Sequence, residues 1–414
     1  MSDILDYHVQ HHLRRYISKL PANQQYQLRN IKSCGQSLMK LPAYTPGVSV
    51  LSDGENGKFF GQTHCQNAFC CPVCSARIME KVRSKIASGI EMFKADGYFG
   101  FMVSFAIPHL KFMSCRETTD ILFETWTRFR TKNYTKSWHV YQEFCKEVPI
   151  AHWVRVTEYT YGQNGWHPHF HAIFWTKREN RDKILKWQYS LNQFWLKMAK
   201  GVTLRYWQKN NLHQGEDLVA LADRLYKFAG EENYSLGLCI SQKDGKVAES
   251  NSSDYLTGWG ADREVTANVR KEASHDGHYT PYQILTMAEN DVKYEKLYIE
   301  FCLAVTRKPV HHRYNFSKTG IVKAIEDYQS VHGYESVVIQ KKRTWEVIAF
   351  FNEEQWSELL CFNESAPVLS NILYLAGKHT DLLFEYLESL GFKRRDCLPR
   401  PYNVRIVKSY FCAA

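Results

Sequence analysis

The stretch His167-Pro168-His169-Phe170-His171 sets three imidazoles at alternate positions. In an extended strand successive side chains take opposite faces, so the three histidines project together. Pro168, Phe170, Ala172 and Phe174 take the other face and suit a core. Two imidazoles at i and i+2 can share one divalent ion when a neighbouring strand adds a ligand. Asn164-Gly165 reads as a two-residue hairpin turn, and pairing about it sets Glu158 opposite His171 and diagonal to His169. Glu158, His169 and His171, with His167 as a further donor, form a candidate site for Mg2+ or Mn2+. A carboxylate and two imidazoles that leave positions open can polarise a phosphoryl or carbonyl oxygen. The plainer reading is a polar sheet face lined with histidines; three on one face against a glutamate is uncommon enough to favour the ion.

A second group of donors lies upstream. Cys65, Cys70, Cys71 and Cys74 crowd together, and Cys71-Pro72-Val73-Cys74 is a C-x2-C knuckle that places two thiolates for one tetrahedral zinc. Cys65 supplies a third ligand, with Cys70 as its alternative. Cys34, in Ser33-Cys34-Gly35, could close a four-thiolate site across a predicted hairpin, and His64 is a substitute ligand. Such a zinc is structural, since four thiolates leave no position open. The competing reading is a buried thiol cluster with one redox-active pair. The first residues, MSDILDYHVQHHLRRY, hold no signal-peptide core, so a cytoplasmic location is expected, with thiols or metal ligands rather than disulfides.

A metal that polarises phosphate needs an attacking group. Water makes a plain nuclease, whereas a side-chain oxygen makes a covalent transferase. Among 25 tyrosines, composition selects none.

The elements that must carry these groups follow from periodicity. Residues 3–32 read as helical with a break at Pro21, and 46–64 as a hairpin about Asp53-Gly54 and Asn56-Gly57. From Ser75 to about Asp96, Ile78, Val82, Ile86 and Ile90 repeat every four residues and predict a helix, ended by Gly97. Tyr98–Ile107 reads as a strand stopped by Pro108. Residues 115–132, 179–200, 248–258 and 281–305 read as helical. Residues 151–160, 167–175 and 235–242 read as strands. Beyond 330, Ser336–Ile339 and Glu346–Phe351 are strand candidates, followed by helices. The order predicts an α+β protein.

Composition narrows the partners. A hydrophobic share of 44% excludes wholesale disorder, and no apolar run approaches the ~18–20 residues of a membrane span. The excess of 53 Lys and Arg over 43 Asp and Glu favours an anionic partner, nucleic acid first. An aromatic share of 14% suits the stacking of unpaired bases. No P-loop occurs, so a helicase of that type is not built in. Arg307-Lys308, Lys341-Lys342-Arg343 and Lys393-Arg394-Arg395 are basic clusters that could dock DNA or a partner, and for each a solvated face is the favoured reading.

The ordered set FMVSFAIPH (101–109), GWHPHFHAIF (165–174) and SSDYLTGWGADREVT (252–266) resembles the three motifs of plasmid rolling-circle replication initiators of the HUH endonuclease class. TPYQIL (280–285) and the cysteine block at 65–77 are similar to further segments of that family. The resemblance spans about residues 30–320. It implies a five-stranded antiparallel HUH sheet, a metal on Glu158, His169 and His171, and Tyr255 as the nucleophile. The implied reaction nicks single-stranded origin DNA, leaving a 5′-phosphotyrosine and a free 3′-hydroxyl that primes replication. The implied partners are single-stranded and duplex origin DNA, a host helicase and a host polymerase, with no membrane. His109 matches the histidine that closes the first motif.

Two positions depart from the family. Its Tyr-x-x-Lys-Trp-Gly has Gly258 in the lysine place, so Arg263 or Lys271 would take over the DNA phosphate. A Glu found four residues before the tyrosine in some relatives is Asn251 here. Tyr226 and Tyr234 are weaker nucleophile candidates. The domains expected are 1–33 (helical), 34–96 (zinc module and basic helix), 97–275 (HUH endonuclease) and 276–414 (C-terminal α+β, binding DNA or a partner). Competing functions are a rolling-circle transposase and a non-catalytic zinc-containing DNA-binding regulator.

Overall fold

The computed structural model describes residues 2–40, 46–130, 139–232, 237–243, 246–247, 277–306, 321–332, 345–363 and 368–399. In chain order it begins with α1 (Ser2–Ser18), α2 (Ala22–Lys32), β1 (Gly47–Ser52), β2 (Gly57–Phe60), α3 (Pro72–Ala95) and β3 (Tyr98–Ala106). There follow α4 (Cys115–Arg130), α5 (His139–Glu147), β4 (His152–Gly162), β5 (Gly165–Lys177), α6 (Arg181–Asn210), α7 (Leu218–Glu232), β6 (Leu238–Ile240), β7 (Gln242–Lys243) and β8 (Lys246–Val247). The last are α8 (Pro281–Met287), α9 (Val292–Val305), α10 (Ile321–His332), β9 (Glu346–Asn352), α11 (Glu353–Asn363), α12 (Val368–Lys378) and α13 (Thr380–Ser389). The class is α+β. Among the described residues, no helix is long and apolar enough to cross a membrane.

Two compact units divide the chain, one of residues 1–78, 285–295 and 339–414, the other of 79–284 and 296–338. In the second unit β5 alternates over residues 166–172: Trp166, Pro168, Phe170 and Ala172 are buried, whereas His167, His169 and His171 are half-buried. Its sheet is antiparallel in the order β4-β5-β3-β6. Phe101, Val103 and Phe105 of β3 lie on the face of Phe170, Ala172 and Phe174, against Trp126 and Phe129 of α4 and Phe194 and Trp195 of α6. Phe105 meets Trp126 edge to face, centroids 5.0 Å apart at 81°. Each such buried side chain stabilises the fold by about 1.5–3 kcal/mol, which commits this face to the core and leaves the histidines on the other. Arg155 also lies on the core face, with its guanidinium 3.9 Å from the Phe170 ring centroid.

The described residues show four strands in this sheet, so the five-stranded arrangement is not seen there. Outside β4 they add one antiparallel bridge, in which the amides and carbonyls of Tyr161 and Tyr279 exchange bonds of 2.8 Å. The β4–β5 register also corrects the expectation. Gly162 pairs with Gly165 across a Gln163-Asn164 turn, so Glu158 lies opposite His169 and diagonal to His171. The reason is the turn: Gly165, at φ +86°, follows the two turn residues instead of being the second of them. A Cβ at Gly165 would stand 3.0 Å from the Lys111 carbonyl oxygen. The displacement is two residues, which preserves the side-chain faces.

The first unit holds a three-stranded antiparallel sheet, β2-β1-β9, whose third strand comes from far along the chain. Helix α12 lies against β2 so closely that a Cβ at Gly57 would collide with the Leu373 carbonyl oxygen. Trp356 of α11 donates from Nε1 to the Gln36 carbonyl (3.1 Å). Helix α6 runs ten residues past its expected end and closes on Asn211 in the left-handed conformation. The 281–305 stretch is two helices, α8 and α9.

Candidate metal centres

Cys34, Cys65, Cys71 and Cys74 bring their four Sγ atoms within 4.8 Å of one another. Sγ–Sγ distances are 3.5 Å for Cys34–Cys71 and Cys34–Cys74 and 3.6 Å for Cys65–Cys74. A tetrahedral zinc with Zn–S bonds of ~2.3 Å has edges of ~3.8 Å, so the cluster needs only a slight expansion to hold a metal such as zinc. Local sequence explains the convergence. Pro72 opens α3, placing Cys71 at its N-cap and Cys74 in its first turn, where the helix dipole favours thiolates. The Cys65-Gln66-Asn67 turn, with Gln66 at φ 56°, aims the Asn67 amide at Cys65 Sγ (3.4 Å), and the Cys65 amide meets Cys34 Sγ (3.5 Å). From α1, Gln10 Oε1 lies 3.5 Å from Cys71 Sγ, and Arg14 donates to the Cys34 carbonyl. His64 stands beside the cluster, its Nδ1 3.8 Å from Cys34 Sγ. Cys70 is buried outside the four.

On the polar face of the larger sheet, Glu158, His169 and His171 also place one donor atom each within 4.8 Å of the others. Glu158 Oε2 is 2.9 Å from His171 Nε2 and 3.5 Å from His169 Nε2. Strand β5 supplies both imidazoles, β4 the carboxylate, and β3 a group the sequence does not single out: Ser104 Oγ, 2.9 Å from His171 Nδ1. Cross-strand pairing of Ser104 with His171 produces that contact. Burial alone would raise the Glu158 carboxyl, but the two imidazoles outweigh it and hold it well below the usual carboxylate range.

The His169 ring is fixed by its own strand. Nδ1 lies 3.2 Å from the His167 carbonyl, which can only accept, so Nδ1 carries the proton. In the neutral ring Nε2 is then a lone pair turned toward the Glu158 carboxylate. Two electron-rich atoms this close, mostly shielded from water, require a positive charge between them: a proton on the ring or a metal ion.

Compared with protein-family models, curated proteins and solved structures, the chain has no match. A functional assignment therefore rests on the residues themselves.

His167 shares the polar face but pairs elsewhere. Its Nδ1 is 2.9 Å from His109 Nε2, and His109 Nδ1 is 3.1 Å from the Asn164 carbonyl. That carbonyl can only accept, so His109 Nδ1 carries the proton and donates, and His109 Nε2 accepts from His167 Nδ1. Burial lowers His109 to about 4 against the effect of the carbonyl. Burial, then the neighbouring His169, His109 and His278, holds His167 well below its ordinary value. Both rings are neutral near pH 7.

Tyr226 is buried in the core of the second unit, its hydroxyl 2.8 Å from Thr203 Oγ1, and burial raises its phenol well above the ordinary value. Tyr255, Tyr234, Arg263, Lys271, Asn251 and Gly258 lie outside the described residues, as do Arg307-Lys308 and Lys341-Lys342-Arg343. In the third basic cluster, Arg394 lies over the Phe384 ring (4.6 Å) and Arg395 faces Asp396 (3.6 Å).

Proposed function

We propose that the chain is a metal-dependent DNA strand transferase of the HUH class that initiates rolling-circle plasmid replication. The observation that carries this reading is the convergence of two imidazole Nε2 atoms on one buried carboxylate, with each Nδ1 engaged by another group. Such outer contacts orient imidazole ligands toward a metal. The three motifs in their family order supply the rest.

When bound at Glu158, His169 and His171, Mg2+ or Mn2+ would polarise a phosphoryl oxygen of the DNA. Glu158 contributes the negative charge that retains the ion. The His167 carbonyl holds His169 in the donor tautomer, and Ser104 Oγ is placed to accept from His171 Nδ1 in the same way. Tyr255 is the nucleophile in this reading: its phenol gives up its proton to solvent, the oxygen bonds to phosphorus, the P–O3′ bond breaks, and the departing oxygen takes a proton from solvent to become a 3′-hydroxyl. The phosphotyrosine diester is comparable in energy to the DNA diester it replaces, so the step reverses and a circle can be resealed. Arg263 and Lys271 are the cations proposed for DNA phosphate. The cysteine cluster serves as a structural zinc site in the same reading.

The test incubates the full chain with Mn2+ and labelled single-stranded oligonucleotides tiled across the DNA element that encodes it, then looks for a denaturation-resistant protein–DNA band. Wild type should form the band; Tyr255→Phe, and His169→Ala combined with His171→Ala, should not, while duplex binding, which rests on phosphate contacts, persists. A band retained by Tyr255→Phe and lost by Tyr226→Phe or Tyr234→Phe moves the nucleophile. No band from wild type on any oligonucleotide, with no nicking of supercoiled DNA, favours the non-catalytic regulator. Cleavage confined to the ends of a mobile element favours the transposase.

A further inference from the structure

Helix α1 carries two histidines, one turn apart, that the proposed strand-transfer site does not use. His8 and His12 stand at i and i+4, on one helix face, with ring centroids 4.9 Å apart at 73°. Glu289, between α8 and α9, brings Oε1 to 3.3 Å from His8 Nε2 and 3.8 Å from His12 Nε2. The three donor atoms lie within 4.8 Å of one another. Gln10 and Arg14, about 200° around the helix from His8 and His12 respectively, are committed to the cysteine cluster. The two groups are therefore separate, one on each side of α1.

An ordinary ion pair accounts for this geometry poorly. One imidazolium on Glu289 is unremarkable, but here both Nε2 atoms converge on the same carboxylate oxygen. A single divalent cation shared by all three satisfies both nitrogens and the oxygen at once. For a tetrahedral ion bound at about 2.0–2.1 Å, donor–donor edges are about 3.3–3.4 Å, and the 3.3 and 3.8 Å separations are close to that. The side chains retain 21–32% exposure, so an ion can enter and a water can complete its shell.

We propose that His8, His12 and Glu289 form a further metal site, taking a borderline divalent ion such as Zn2+ or Co2+ with its fourth position open to water. Two imidazoles and a carboxylate suit these ions, as they suit the Mn2+ proposed at Glu158, His169 and His171. The ion would fasten α1 to the α8–α9 connection and, because it binds only the folded chain, stabilise that arrangement by mass action.

The test uses the full chain without a histidine tag, titrated calorimetrically with ZnCl2 after purification, alongside thermal denaturation with and without the ion. Wild type should take up about one equivalent more than His8→Ala combined with His12→Ala, and Zn2+ should raise its Tm by more. Glu289→Gln, which keeps the side-chain size and disturbs folding least, should bind that equivalent about tenfold more weakly or worse. Co2+ should give a visible tetrahedral spectrum whose contribution from this site is lost in His8→Ala combined with His12→Ala and requires more Co2+ in Glu289→Gln. Equal stoichiometry and affinities within about twofold across wild type and both variants would overturn the proposal. So would an unchanged zinc-induced Tm shift.

Discussion

Ser104→Ala tests whether the hydrogen bond behind His171 positions a metal ligand. Ser104 sits on β3 between Val103 and Phe105, which face the core, while its own hydroxyl reaches His171 Nδ1 at 2.9 Å. Alanine leaves the strand and the core face intact. A lone neutral hydrogen bond contributes about 0.5–1.5 kcal/mol to stability, so urea denaturation should report a loss in that range. Metal affinity should respond more strongly. Without the hydroxyl the imidazole can turn about its Cβ–Cγ bond, carrying Nε2 away from its position 2.9 Å from Glu158 Oε2. Losing an outer contact of this kind typically weakens metal binding about 10–100-fold, or about 1.4–2.8 kcal/mol. Titrating Mn2+ and following the free ion by electron paramagnetic resonance measures this directly. Ser104→Thr, which keeps a hydroxyl, should restore most of the affinity. Mn2+ affinity in Ser104→Ala within about twofold of wild type, while His169→Ala loses it, would refute the positioning role.

Gly165→Ala should destabilise the fold by about 1–3 kcal/mol in urea denaturation, because φ +86° disfavours a side chain and the new Cβ meets the Lys111 carbonyl at 3.0 Å; a loss under about 0.5 kcal/mol would mean that the turn rearranges. Cys71→Ser combined with Cys74→Ser should lower retained zinc by about one equivalent in metal analysis, since it removes two of four converging thiols; zinc retained at wild-type stoichiometry would refute the four-cysteine set. Burial depresses His109 to about 4 from the ordinary ~6.5, so the unfolded chain binds its proton first. The associated stability is complete above pH ~6.5 and falls by up to about 3 kcal/mol as pH drops toward 4. His109→Asn should flatten that part of the pH profile, and an unchanged profile would contradict it.

Much of the polar sheet face is readable from residue order, because a strand's two-residue repeat alone sorts His167, His169 and His171 from Phe170 and Ala172. Which histidine stands opposite Glu158 is less accessible. A glycine with positive φ suits either of two turns, and only the Lys111 backbone packed against Gly165 distinguishes its setting. The face survives the misjudged register because a displacement of two residues leaves parity unchanged. Ser104 is invisible for another reason: its role depends on which strand flanks β5, a choice made by the packing of α4 and α6 and not by local pattern. Convergence of Cys34 on the knuckle is suggested by chemistry but depends on α1, whose Gln10 and Arg14 reach the cluster. The approach of Glu289 to His8 and His12 has no local signal at all, since helical spacing identifies the pair but not the loop that meets it.

Strand β9 completes a sheet whose other two strands lie about 290 residues upstream, a very non-local pairing. On a ribosome adding about 5–20 residues per second, β1 and β2 would emerge about 15–60 s before their partner. During that interval Val48, Val50 and their neighbours present an unpaired strand edge, while all four cysteines have already been made. Zinc capture by the nascent chain would hold Cys34 to the start of α3 and restrain the open edge until β9 arrives. Early metal loading would then act as a guard against misassembly, and zinc starvation during synthesis would cost yield of soluble protein even where zinc supplied later restores the finished fold.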